Sequence, residues 1–305
     1  ERQIRPQYKA DLETLSRAKY QVEGSSTIEA WDLKFYTKLI KAQSGVDPNE
    51  LAPYLGFDNC LRAMQILVEK LFGIEMQEYP MMPGEGWDTS DDHETHSTER
   101  IRKFGFRDQQ TEQPLGTMYL DLHPRPGKYT HAAHFTVRCG CRVSGPDSEY
   151  QLPVVALVCN MNSGSATLSS HSEVETLFHE MGHALHSLLS RTNFQHMAGT
   201  RAAMDFVETP SHWMEHFVWD PDFLPILCQH HGQALDNESI QALAASRNQF
   251  RCLEMQSQII LSRFDQEIFG GPSIPGRPQE IWTQLHQEYQ VPFVPGTHFY
   301  TNVGH

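Results

Sequence analysis

The chain has 305 residues, with 24 Lys+Arg against 38 Asp+Glu and a formal net charge of −14. That length suits one large domain or two modest ones with a sizeable core. The acidic balance excludes a broad nucleic-acid-binding face, which needs basic charge, and the longest apolar run, 152–158 (LPVVALV), is too short to span a membrane.

The first 75 residues read as helices. Residues 28–42 (IEAWDLKFYTKLIKA) and 57–73 (FDNCLRAMQILVEKLFG) carry apolar residues at helical spacing, and Gly73 is placed to cap the second of them. Residues 80–116 are rich in turn formers and acids and read as a loop or insertion, with 88–113 its most irregular part. Candidate strands follow at 117–123 (TMYLDLH), 131–139 (HAAHFTVRC) and 152–160 (LPVVALVCN). Helices dominate again from 170 onward. The expected fold is mainly α with one small, partly antiparallel β-sheet. It forms a single catalytic region over 1–305: helical over 1–79, loop and small sheet over 80–168, helical over 169–305. The six scattered cysteines match no disulfide framework and read as reduced thiols. The chain opens on Glu1 with a polar segment, so it reads as a fragment or processed form without targeting information.

One stretch carries chemistry: TLFHEMGHALHS, residues 176–187. Ser170 and Glu173 form a capping box, so a helix should start there. Val174, Leu177, Phe178, Met181, Leu185 and Leu188 then make one apolar stripe. His179 and His183 are four apart, so both rings leave the same side, one turn apart. With Glu180 this is H-E-x-x-H, a pattern suited to one zinc ion, a water, and a carboxylate that takes the water's proton. Two hydrogen-bonded core histidines are the competing explanation. Gly182 argues against it: a mid-helix glycine costs about 1 kcal/mol relative to Ala, and its bare face would let another backbone approach the metal.

A third ligand is sought downstream. Position 189 is Leu189, which excludes the HExxHxxGxxH arrangement. Residues 204–217 (MDFVETPSHWMEHF) supply Glu208 near a helix start, where Pro210 is tolerated. Glu208 is favoured as the ligand; Glu215, two turns further on, competes with it. Asp205 could cap that helix or hydrogen-bond a ligand histidine. Glu175, one turn before His179, could orient an imidazole or simply sit in the first turn for its dipole. His186 reads as packing. His93, His96, His131, His134, His230 and His231 read as solvent-facing or structural.

Taken together, FHEMGHALHSLLSR and GTRAAMDFVETPS resemble the thimet oligopeptidase family of zinc metallopeptidases. Upstream WDLKFY (31–36) and LFGIEM (71–76) fit the same family. The resemblance implies a helical zincin-type catalytic domain enclosing a channel, and one Zn2+ on His179, His183 and Glu208 with Glu180 as the catalytic carboxylate. It implies endopeptidase action on unfolded or short peptides, and a strand at 131–139 whose edge pairs with extended substrate. RTNFQHMAGTR (191–201) and VPFVPGTHFYTNVGH (291–305) are similar to a branch of the family that removes N-terminal octapeptides from imported precursors in the mitochondrial matrix. A general cytosolic oligopeptidase, or a zinc- and peptide-binding form without activity, is the alternative. His305 aligns with a histidine that stabilises the family's oxyanion. The tyrosine-rich segment that follows it in the family is not among these residues, so slow or absent turnover is expected. Peptide or unfolded precursor is the expected partner, with no nucleic acid and no membrane span.

Overall fold

A computed structural model describes residues 1–44, 47–87, 101–144, 148–161, 170–273 and 276–302. In chain order the elements are α1 (Arg5–Glu23), α2 (Ala30–Ser44), α3 (Pro48–Leu51), α4 (Phe57–Phe72), β1 (Ile74–Tyr79), β2 (Ile101–Asp108), β3 (Pro114–Asp121), β4 (Ala133–Arg138), β5 (Cys141–Arg142), β6 (Tyr150–Gln151), β7 (Val154–Val158), α5 (His171–Leu189), α6 (Thr209–Glu215), α7 (Leu224–Leu227), β8 (Gln229–His230), β9 (Gln233–Ala234), α8 (Asn237–Ser246), α9 (Arg251–Phe269) and α10 (Pro278–Tyr289). They fall into two compact units, Glu1–Val46 with Ala245–His305, and Asp47–Ala244. No described helix is long and apolar enough to cross a membrane. All six cysteines are free thiols.

The first unit is helical. Tyr8, Leu15, Tyr36, Ile260, Phe264, Trp282 and Leu285 share one core, contributed by α1, α2, α9 and α10. A buried ion pair, Lys19 Nζ to Asp32 Oδ2 at 2.5 Å, ties α1 to the first turn of α2.

The second unit holds the predicted site. Its main sheet has five strands in the order β1-β2-β3-β7-β4. β3 and β7 are parallel; the other neighbours are antiparallel. The mainly α, partly antiparallel expectation therefore holds, with two strands more than expected in this sheet and two further two-stranded sheets, β5-β6 and β8-β9, among the described residues. Ile74–Tyr79, expected to continue the helical region, is β1, and Ile101–Asp108 is a strand inside the segment expected to be loop. Both put alternate apolar residues inward: Ile74 and Met76 on β1, Phe104 and Phe106 on β2. Residues 88–100 of that segment lie outside the described residues. Helix α4 ends as expected, on Gly73 at φ 65°, a left-handed conformation that glycine adopts without strain.

Helix α5 packs across β3, β7 and β4 and against α6. Every member of its apolar stripe, from Val174 to Leu188, is at most 3% exposed. Each such burial stabilises by roughly 1.5–3 kcal/mol. The helix begins at the expected residue, with Ser170 as N-cap and its Oγ accepting the Glu173 N–H at 3.3 Å, one of the two bonds of a capping box.

A buried ionic node closes the end of β3. Asp121, 0% exposed, accepts two bonds from Arg125 and one each from Lys128 Nζ and Trp87 Nε1, all at 2.8–2.9 Å. Burial alone would raise this carboxyl's pKa; the hydrogen bonds from Arg125, Lys128 and Trp87 outweigh it and hold it below the usual range. Lys128 Nζ also reaches the carbonyls of His123 and Cys159 at 2.9 and 2.5 Å. The node thereby fastens the chain after β3 to the chain after β7.

Candidate metal centre

Two imidazoles and one carboxylate converge where α5 meets the start of α6. His179 Nε2 lies 3.3 Å from Glu208 Oε2, and His183 Nε2 lies 3.1 Å from the same oxygen. The i, i+4 spacing brings the rings together at 5.0 Å between centroids. Glu208 is the N-cap residue of α6 and Pro210 sits in that helix's first turn. Proline there forfeits no intrahelical bond, because the first N–H groups of a helix have no partner.

Gly182 makes the convergence possible. A Cβ at this position would lie 2.5 Å from Ser211 Cα and 2.6 Å from the Pro210 carbonyl oxygen. The backbone of α6 therefore rests directly on α5, one residue before His183. Ser211, 0% exposed, donates its hydroxyl to Glu208 at 2.8 Å, to the backbone carbonyl or to Oε2.

The donor atoms of His179, His183 and Glu208 all lie within 4.8 Å of one another. A tetrahedral ion with bonds of about 2.0–2.2 Å sets its ligand atoms about 3.3 Å apart, close to the two imidazole–carboxylate separations. The donor set, two borderline nitrogens and one oxygen, suits zinc. Burial works against a charged His183, and Glu208 offsets this only in part, so the ring's pKa falls below the ordinary value. Burial would raise the Glu208 carboxyl; the Ser211 hydrogen bond and the imidazoles outweigh it and leave it lowered. A neutral ring and an ionised carboxylate are the forms a metal takes.

The remaining expected residues are placed as follows. Glu180 is 7% exposed, one residue past His179. Its charge reaches the Cys159 thiol, which burial first and Glu180 next push up to about 12. Glu175 Oε1 accepts the Trp219 indole N–H at 2.6 Å, anchoring the 217–219 turn to α5. Asp205 is exposed in the turn before Glu208 and does not cap α6. The carboxylate that holds His179 is neither of these but Glu215, whose Oε1 lies 2.6 Å from His179 Nδ1. Glu215 also meets His212 Nδ1 at 3.0 Å. His186 stands apart from the cluster with its ring against Phe206. His305, His93 and His96 lie outside the described residues.

Sequence reasoning missed two neighbours. Glu215, the competing ligand candidate, meets the far nitrogen of His179, and with His179 and His212 it forms a second group whose donor atoms lie within 4.8 Å of one another. His134 was read as solvent-facing or structural. It points from β4 at His183, 6.2 Å between ring centroids, and burial first, then the charges of His183 and His186, push it down to about 3. The period-2 pattern of 131–139 was the available signal, since it sets His134 opposite the exposed Phe135 and Val137.

Glu215 gives a test. A carboxylate on the distal nitrogen of a metal-binding imidazole fixes its tautomer and raises its basicity, and its loss costs about 10–100-fold in metal affinity. Glu215→Ala is expected to weaken zinc binding by that factor in a competitive chelator titration. Unchanged affinity would leave the contact with no bearing on the metal.

Two imidazoles one turn apart on a helix, met by a carboxylate from the start of the next, are a donor set that metal-dependent hydrolases use. Comparison with known proteins is specific. Residues 1–305 match peptidase family M3 over their whole length. Over 289 residues the chain is 37% identical to mitochondrial intermediate peptidase of Arabidopsis thaliana, covering 92% of this chain and 39% of the relative. The proteins of that name from Homo sapiens and Mus musculus are 32% and 33% identical over 288 residues, with the same two coverages. The chain belongs to peptidase family M3, a family of metallopeptidases. It spans about two fifths of the length of these relatives.

Proposed function

We propose that this chain carries the metal-binding centre of a zinc endopeptidase that processes imported precursor proteins in the mitochondrial matrix. One observation supports the chemistry above others: His179, His183 and Glu208 converge on a volume that fits a single tetrahedral ion. The relatives' names, mitochondrial intermediate peptidase, support the precursor substrate and a mitochondrial location, and the family resemblance implies the matrix.

When bound, zinc acidifies a water and polarises the scissile carbonyl. The protein's own groups do the rest. His179 and His183 would each offer an Nε2 lone pair to the ion, and Glu215 keeps a His179 proton on Nδ1. Glu180 receives the proton of the attacking water and passes it to the leaving amine. An extended peptide adds to the open edge of β4, next to α5, through main-chain hydrogen bonds. His134 stays neutral beside His183, so it adds no positive charge against the metal.

The test has two readouts. Elemental analysis of the zinc-loaded chain is expected to give one ion per chain. Glu180→Gln is expected to keep that ion while hydrolysis of a quenched-fluorescent peptide falls by at least about 10²-fold, the usual worth of a general base. A chain that takes up no zinc, or a Glu180→Gln variant that matches a parent with measurable turnover, overturns the proposal.

A further inference from the structure

The protein is strongly acidic, yet one cavity is basic. It has a volume of about 790 Å³ and is lined by Arg138, Arg142 and Arg191 among others. Tyr150 forms its aromatic wall, with the Arg191 and Arg142 guanidinium carbons 4.8 and 5.7 Å from the ring centroid. Arg142 donates to the Ser148 carbonyl at 2.6 Å, and Arg138 donates its Nε–H to the Leu152 carbonyl at 2.9 Å. These bonds orient the groups without neutralising them. Each guanidinium has five N–H donors, and among the described residues none of the three is ion-paired with a carboxylate. Glu149 is the one acidic residue among the described residues that line the cavity.

The cavity's location matters as much as its charge. Arg138 ends β4, four residues after His134, which faces His183. At about 3.3 Å per residue that is about 13 Å along the strand. Arg191 follows the end of α5, eight residues after His183. Strand and helix thus both lead from the metal centre to the same basic cavity. A peptide laid along the β4 edge advances by the same 3.3 Å per residue, so its fourth residue from the scissile bond reaches the arginines.

We infer that Arg138, Arg142 and Arg191 form a subsite for a carboxylate of the bound peptide, about four residues from the cleaved bond. The inference rests on the peptidase reading for its occupant and names a feature of that occupant. Planar guanidiniums bind carboxylates through paired N–H groups, and the Tyr150 face holds two of them in place. The carboxylate belongs either to an Asp or Glu side chain or to the peptide's free C-terminus.

The experiment measures binding, so it does not depend on turnover. Fluorescence anisotropy follows labelled octapeptides on the zinc-loaded Glu180→Gln chain, which leaves them uncut. One series moves a single Asp along an amidated peptide; the second compares a free with an amidated C-terminus on an Asn-containing peptide. The parent is expected to prefer a charged peptide over its neutral counterpart by about tenfold, less at high salt. The series that shows the preference identifies the source of the carboxylate. Arg138→Gln and Arg191→Gln, each added to that background, are expected to abolish the preference while the neutral peptide binds as before, which also reports that the variants fold. Equal binding of charged and neutral peptides by the parent overturns the subsite, as does a preference that survives both substitutions. Zinc content measured on the same samples is a separate readout: a chain without zinc that keeps its arginine-dependent preference sinks the peptidase reading and spares the subsite.

Discussion

Gly182→Ala is expected to destabilise the protein by about 1–3 kcal/mol, the cost of forcing extra volume into a packed contact, and to weaken zinc binding with it. In an open helix the same change is favourable by about 1 kcal/mol, because alanine restricts the unfolded chain. The sign reverses here because the added methyl has no room. It would stand 2.5 Å from Ser211 Cα and 2.8 Å from Ser211 N, and these are backbone atoms that no rotamer change can clear. Relief requires α6 to move off α5. Glu208 sits at the start of α6, so the same movement withdraws the carboxylate from both imidazoles. Urea denaturation without metal and a zinc titration measure the two effects separately. A more stable variant would mean that the contact between the helices is looser than these distances.

Glu208→Ala is expected to reduce zinc affinity more than Glu215→Ala does, and so beyond the 10–100-fold range of supporting residues. The reason is that Glu208 supplies a donor atom, whereas Glu215 holds a ring that supplies one. Linkage separates this from a plain ion-pair effect. Zinc that binds only the folded parent raises its midpoint with concentration, and the variant's midpoint is expected to stay flat. Without metal, pH gives a second signature. The Glu208 carboxyl is lowered in the folded state, so its stabilising contribution is present above the ordinary glutamate value of 4.5 and is lost as pH falls through the lowered value. The stability gap between parent and variant is therefore expected to close on acidification. A gap that widens at low pH contradicts this.

The metal-ligand candidates were readable because each depends on local rules. Ser170 and Glu173 fix where α5 starts, the four-residue step places His179 and His183 on one side, and Pro210 requires Glu208 to stand at a helix start. Gly182 was legible as a site of close backbone approach, though not which backbone approaches. Glu215 was not legible as a partner of His179. It lies two turns from Glu208 along α6, and only the crossing of α6 over α5 shows that the two carboxylates meet opposite nitrogens of one ring. The strand at 101–108 was obscured for another reason. Its outward face carries Lys103 and Arg107, and Arg102 lies against the Phe104 ring; their charges are answered by Glu85, Glu75 and Glu78 from neighbouring segments. Gly105 sits mid-strand beneath the Tyr79 ring. A charged, glycine-broken segment next to an acidic one reads as loop until its cross-strand partners are known.

The open edge of β4 carries a cost as well as a use. Phe135 and Val137, 43% and 63% exposed, stand on a strand that ends the described sheet order. Any extended chain can hydrogen-bond to such a margin, including a second molecule of the same protein. The register break between Thr136 and Arg138 bends the margin partway along, and like-charged arginines at its far end repel an identical copy. The border proposed to take up a peptide strand is thus kinked and charged against templating its own fibre.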